Sequence, residues 1–242
     1  MGKNLIYVPQ CHSTNDLAAQ VVEQPSAHEG TVVITDDQTR GRGQMGNQWL
    51  TEPGQNLTFS LILYPTFVAP TDQFLLICSI SLGVFDLLQA EIGGRIFIKW
   101  PNDLMVNDKK VGGILIENQL KGNTIKHTII GIGLNVNQKE FTIESASSMN
   151  QIAGKQFDLS IVLEELLHRI EIRYMMLRNG KHETLMKDYH NALYWRNEMR
   201  TFSSSSGDFK GKIIGVGDQG HLKIDSEGIV HNFTNKQVTY VQ

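Results

Sequence analysis

The apolar positions along the chain change period several times, and each change marks an element. Residues 4–8 predict a short first strand. Ser13 and Thr14 then stand as helix N-caps before an apolar stripe at Leu17, Ala18, Val21 and Val22. Residues 31–35 are β-branched and strand-like, and a polar, glycine-rich stretch follows from 36 to 55. Connections that long are usually functional or disordered. Leu57, Phe59, Leu61 and Leu63 alternate with Thr58, Ser60, Ile62 and Tyr64, which predicts a strand.

Residues 71–91 predict a long helix with one apolar face. Strands over 96–100, 103–106, 111–118 and 124–136, joined by the turns 107–110 and 121–123, predict an antiparallel meander central to the fold. Residues 160–178 and 181–195 read as amphipathic helices. Beyond Trp195 the character changes. Five short strands (199–203, 209–216, 221–225, 228–233 and 237–241) alternate with Gly, Asp and Asn turns, the spacing of a small barrel. The tract 203–206 is a solvated hairpin tip. The predicted fold is mixed α/β (α+β), with a catalytic unit over 1–195 and a small β unit over 196–242.

Composition narrows the class without naming an activity. The 242 residues are 40% hydrophobic and 19% charged, values of an ordinary soluble globular protein. A net charge of −3 leaves no electrostatic footprint for nucleic acid. Cys11 and Cys78 are too few for a disulfide framework and read as reduced thiols of a cytoplasmic protein. The most apolar run, 74–85, falls short of the roughly 20 residues that span a bilayer, so a buried helix is expected there. The eight histidines do not fall at zinc-ligand spacings, and no nucleophile elbow or paired reactive cysteine is present.

Five segments could carry chemistry. In Arg40-Gly41-Arg42-Gly43-Gln44-Met45-Gly46, glycines bring backbone N–H groups and a guanidinium within reach of an anion; a flexible surface loop is the equal alternative. Lys99, inside the run Ile96-Phe97-Ile98-Lys99-Trp100-Pro101-Asn102-Asp103, is either an edge lysine facing water or a buried cation that needs an anion. On a period of two it shares a face with Phe97. Lys110 precedes Gly112-Gly113, and Gly131 and Gly133 precede Asn135. Glycines in strands mark either close packing or the approach of a ligand. Cys11-His12-Ser13-Thr14-Asn15 either caps a helix or offers donors to a ligand.

Taken in order, Ser13-Thr14-Asn15, Gly41-Arg42-Gly43 with Trp49, Lys99-Trp100-Pro101-Asn102-Asp103, Lys110 with Gly112-Gly113-Ile114-Leu115, and 131–137 resemble the biotin–protein ligase family over about residues 5–140. The Lys-Trp-Pro-Asn-Asp run is the specific element. The resemblance implies a catalytic domain related to class II aminoacyl-tRNA synthetases, followed by an SH3-like barrel. It implies that Ser13, Thr14, Asn15, Gln38, Arg42, Gly43, Gln44, Lys99 and Gly113 bind biotin. It gives Arg40, Arg42, Trp49, Asn102, Lys110 and Asn135 to ATP or the adenylate, and makes Arg42, Lys99 and Lys110 the catalytic cations. ATP with Mg²⁺ would activate biotin, and a lysine of a biotin carboxyl carrier domain, of acetyl-CoA carboxylase or a related enzyme, would receive it.

Two departures add expectations. Some family members carry arginines where this chain has Gln44 and Met45, which predicts a looser hold on the adenylate. The chain starts almost directly on the first catalytic strand, which predicts a ligase rather than a DNA-binding repressor. No membrane partner is expected, and an exposed strand edge leaves a homodimer open. A lipoate or octanoate ligase of the same fold is the nearest rival, and a non-catalytic biotin sensor the more distant one.

Overall fold

The computed structural model describes residues 1–24 and 27–241, the side chain of Met45 excepted. A parallel pair begins the main sheet: β1 (Leu5–Cys11) lies beside β2 (Val32–Gln38), and α1 (Thr14–Val22) connects them. The chain then runs antiparallel through β3 (Leu57–Leu63), β4 (Ile96–Lys99), β5 (Asp103–Val106), β6 (Lys109–Lys121) and β7 (Thr124–Leu134). The spatial order is β1-β2-β3-β7-β6-β5-β4. β3 and β7 therefore sit at the centre, and β1 and β4 form the edges.

Strand alternation sorts side chains onto two unlike faces. Val32, Leu61 and Ile130 point into the main core, where α2 (Phe74–Glu91) packs on α4 (Leu159–Arg178) and α5 (His182–Ala192). Gly83 permits the close crossing of α2 and α4, since a Cβ there would stand 2.7 Å from Ile170 Cα. Val33, Ile62 and Ile129 point the other way and pack on Ala18 and Val21 of α1. α1 covers only part of that face. The rest carries Thr58, Ser60, Gly113, Gly131 and Gly133, which are neighbours by register. Every residue of β3 is buried.

Several bounds also differ from expectation. α2 starts at Phe74, after a 3-10 turn at Pro70–Asp72. The stretch Pro70–Glu91 has 22 residues and is long and apolar enough to cross a bilayer. The apolar run alone understated that length; burial under α4 and α5 is what accounts for its apolarity. α5 ends at Ala192 rather than 195, because Leu193 turns extended and the Tyr194 N–H donates to Ile98 O at 3.0 Å. A short helix, α3 (Met149–Ala153), went unforeseen although its signal is present. Ser148 caps it by accepting from the Gln151 N–H at 3.2 Å, and Gly154 closes it at φ +67°.

β8 (Met199–Ser204), β9 (Gly207–Val216), β10 (Leu222–Ser226), β11 (Ile229–Phe233) and β12 (Val238–Tyr240) form a second, open sheet in the order β11-β10-β9-β8-β12. Its inner residues Phe202, Ile213, Leu222 and Ile224 belong to the same buried cluster as α2 and the main sheet. The Trp100 indole N–H donates to Gly220 O at 2.9 Å, so the end of β4 is tied to this second sheet.

Candidate active site

A cavity of about 420 Å³ opens on the glycine-floored face of the main sheet, beside α1. Its size suits a drug-sized ligand. Four segments far apart in sequence wall it: the start of α1, the loop 42–49, the hairpin end 99–103 with Lys110, and the end of the second sheet.

The α1 end is neutral and polar. Ser13 sits at the N-cap position but makes no side-chain cap bond, so the expected capping role is corrected and its hydroxyl faces the cavity unengaged by the helix. The Thr14 N–H donates to Gln38 Oε1 at 2.8 Å, and Ser60 Oγ donates to Asn15 Oδ1 at 2.6 Å. Thr14, Asn15 and Ser60 are buried. A Cβ on Gly131 would collide with Asn15 Oδ1, so this glycine makes room for the asparagine. The network leaves a small pocket of fixed amides and hydroxyls, suited to a planar polar group with both donors and acceptors.

The other end is cationic. Lys99, Lys110, Arg42 and Lys236 all line the cavity, against the single carboxylate of Asp103 among the described lining residues. Lys99 is half-buried at the end of β4, with its ammonium 4.7 Å from the centre of the Tyr240 ring. Burial pulls its pKa down from the ordinary lysine range, Lys110 adds to that, and Asp103 opposes it. Lys110 Nζ pairs with Asp103 at 2.7 Å and lies 5.7 Å from the Trp49 ring. Trp49 in turn packs against Gly133, where any Cβ would overlap its indole. The Trp49 indole N–H is buried and has no partner among the described residues.

Two hydrogen bonds tie down the signature run. Trp100–Pro101 is a cis peptide, the Tyr189 hydroxyl donates to Pro101 O at 2.8 Å, and the Asn102 amide donates to Ile114 O. On the loop, Gln44 accepts from Asn235 Nδ2 at 2.7 Å, which bridges the loop to the second sheet. The structure thus brings Ser13, Thr14, Asn15, Gln38, Arg42, Gly43, Gln44, Trp49, Lys99, Asn102, Lys110 and Gly113 to one cavity. It does not bring Arg40 or Asn135 there. Arg40 is exposed, and its backbone N–H donates to His12 O. Asn135 is buried behind the floor, where its amide donates to Ser147 O at 3.0 Å and so stands engaged in the fold. The side chain of Met45 lies outside the described residues.

Sequence reasoning missed the second sheet's share of the wall: Asn235, Lys236, Val238, Thr239 and Tyr240. It also missed Ser60 and Asp103, whose neighbours are set by strand register. Register is not visible in a linear pattern.

A cavity with a neutral polar end and a cationic end suits an acid carrying a polar head, brought beside a polyphosphate. Comparison with known proteins makes that class specific. Residues 7–135 match the biotin/lipoate A/B protein ligase family. The bifunctional ligase/repressor BirA of Bacillus subtilis is 35% identical over 239 residues, covering 95% of this chain and 72% of the relative. The biotin–[acetyl-CoA-carboxylase] ligase of Mycobacterium tuberculosis is 28% identical over 93% of this chain and 85% of its own. Among solved structures, the Aquifex aeolicus biotin protein ligase in complex with biotin and ATP superposes with a TM-score of 0.82 at 28% identity, over 98% of each chain. The chain belongs to the biotin/lipoate A/B protein ligase family.

Proposed function

We propose that the cavity condenses biotin with ATP to biotinyl-5′-AMP and passes the biotinyl group to a lysine of a carrier domain. The observation that carries this is the coexistence, in one cavity, of the polar pocket at Thr14, Asn15 and Gln38 with Lys99, Lys110 and Arg42. A plain acyl chain has no use for the polar pocket, which favours biotin over lipoate or octanoate. A non-catalytic sensor has no use for the cations.

In this reading Ser13, Thr14, Asn15 and Gln38 hold the ureido end, and Lys99 meets the carboxylate. The carboxylate oxygen attacks the α-phosphorus of ATP and pyrophosphate leaves. Two anions must approach each other in that step, and Lys99, Arg42 and Lys110 offset their repulsion. Trp49 and Asn102 wall the nucleotide. The neutral ε-amine of the acceptor lysine then attacks the acyl carbon, and AMP leaves with the bond electrons. Gly43, Gln44 and the rest of loop 42–49 exclude water from the anhydride. Mg²⁺ would arrive on ATP. Asp103, the carboxylate among the described lining residues, would be the protein group available to that ion, whose other ligands would come from the substrate phosphates and water.

We read residues 1–195 as the catalytic unit and 196–242 as an SH3-like module that closes its mouth. The acceptor is a biotin carboxyl carrier domain, a homodimer remains part of this reading, and the setting is cytoplasmic. The test is transfer of labelled biotin or lipoate, with ATP, to a carrier domain. Biotin-specific labelling is expected; labelling by lipoate alone would replace this reading with the rival.

A further inference from the structure

Arg42 does not hang loose over the cavity. Its Nη2 lies 2.8 Å from Asp16 Oδ1 on α1 and 3.1 Å from Glu117 Oε2 on β6. The same Glu117 Oε2 accepts from Asn15 Nδ2 at 2.7 Å. One carboxylate oxygen therefore touches both the amide of the polar pocket and the guanidinium of the loop. Neither acid lines the cavity, whereas Arg42 and Asn15 both do.

The chemistry of the guanidinium gives this arrangement meaning. Arginine carries five N–H donors in a rigid planar fork. Both ion pairs use one nitrogen, Nη2. Nε and Nη1 have no partner among the described residues, so the anchored fork keeps donors for an anion in the cavity. Anchoring by one corner also lowers the entropy lost when the fork meets a phosphate. Glu117 lies on the α1 face, at the register of Ile129 in the middle of the sheet, so it is a stiff support.

We propose that Glu117, assisted by Asp16, is a positioning residue that presents Arg42 to the phosphate of the acyl adenylate and couples that clamp to occupancy of the Asn15 pocket. This rests on the function proposed above. Glu117 touches no reacting atom; it acts through Arg42 and Asn15.

The test measures the half-life of enzyme-bound biotinyl adenylate without acceptor, together with kcat and KM for biotin. Glu117→Gln keeps an acceptor for Asn15 but loses the charge that holds Arg42. It is expected to shorten the half-life about tenfold, the scale of one charge-assisted contact, while KM for biotin moves less than twofold. Asp16→Asn, on the helix rather than the sheet, is expected to act in the same direction. In an Arg42→Gly background, Glu117→Gln should add less than twofold. Equal shortening in both backgrounds would show a general structural role and overturn the proposal, as would an unchanged half-life. Absence of any biotinyl adenylate from the unmodified enzyme would overturn the proposed function and this inference together; adenylate that forms but whose release ignores Glu117 would overturn this inference alone.

Discussion

Lys99 stands at the end of β4, opposite Asp103 on β5 and over the Tyr240 ring. Burial favours its neutral form, which sets two opposite pH dependences. Activation of a carboxylate needs the charged form, so the alkaline limb of kcat/KM for biotin should fall at a lower pH than an ordinary lysine would give. Stability runs the other way. The folded state holds this proton less tightly than the unfolded chain, so stability from Lys99 rises with pH between its folded pKa and the ordinary lysine value. Urea melts should find Lys99→Met more stable than the parent at neutral pH, by a margin that narrows as pH rises through that window. The floor glycines divide by the side chain each makes room for. Gly131→Ala displaces Asn15 and should raise KM for biotin about tenfold or more; Gly133→Ala displaces Trp49 and should raise KM for ATP instead. Contiguous motif residues such as Lys99 and Arg42 were legible because one short segment carries them. Asn135 stands apart from the residues that line the cavity, and the backbone oxygen its amide serves, at Ser147, is invisible in a linear reading.

At the scale of elements, the helical layer and the cavity lie on opposite faces of one sheet, and this separates stability from catalysis. Arg173 on α4 pairs with Asp86 of α2 at 2.7 Å and Asp188 of α5 at 2.6 Å, and these carboxylates raise its pKa. Removing one partner of a largely buried ion network strands the others. Arg173→Ala is expected to cost about 2–3 kcal/mol in urea unfolding, with kcat and KM at low temperature nearly unchanged. Loss of activity before loss of stability would contradict the two-face division. Long elements were readable because their apolar period persists for several turns, as in α2 and α4. α3 was not, since five residues are too few to show a period and only the Ser148 cap announces it. In β3 the polar members of the alternation, Thr58 and Ser60, belong to the cavity and its supports. A buried polar site imitates a wet face in a binary pattern.

Across the whole molecule, the second sheet completes the site rather than trailing behind it. Tyr240 lies under Lys99, and Asn235 holds Gln44. A cation over an aromatic ring is worth roughly 0.5–2 kcal/mol. Tyr240→Ala should therefore lower biotin-dependent exchange about threefold to tenfold, and Tyr240→Phe should leave it near the parent value. Equal losses in both variants would show that the ring is not what supports Lys99. The most direct test of the account remains ATP–pyrophosphate exchange with biotin in the parent enzyme and in Lys99→Ala, with thermal melts of both. Biotin-dependent exchange in the parent, and its loss by about a hundredfold or more in a variant that still melts cooperatively, is the predicted result. Near-normal exchange by Lys99→Ala would contradict it.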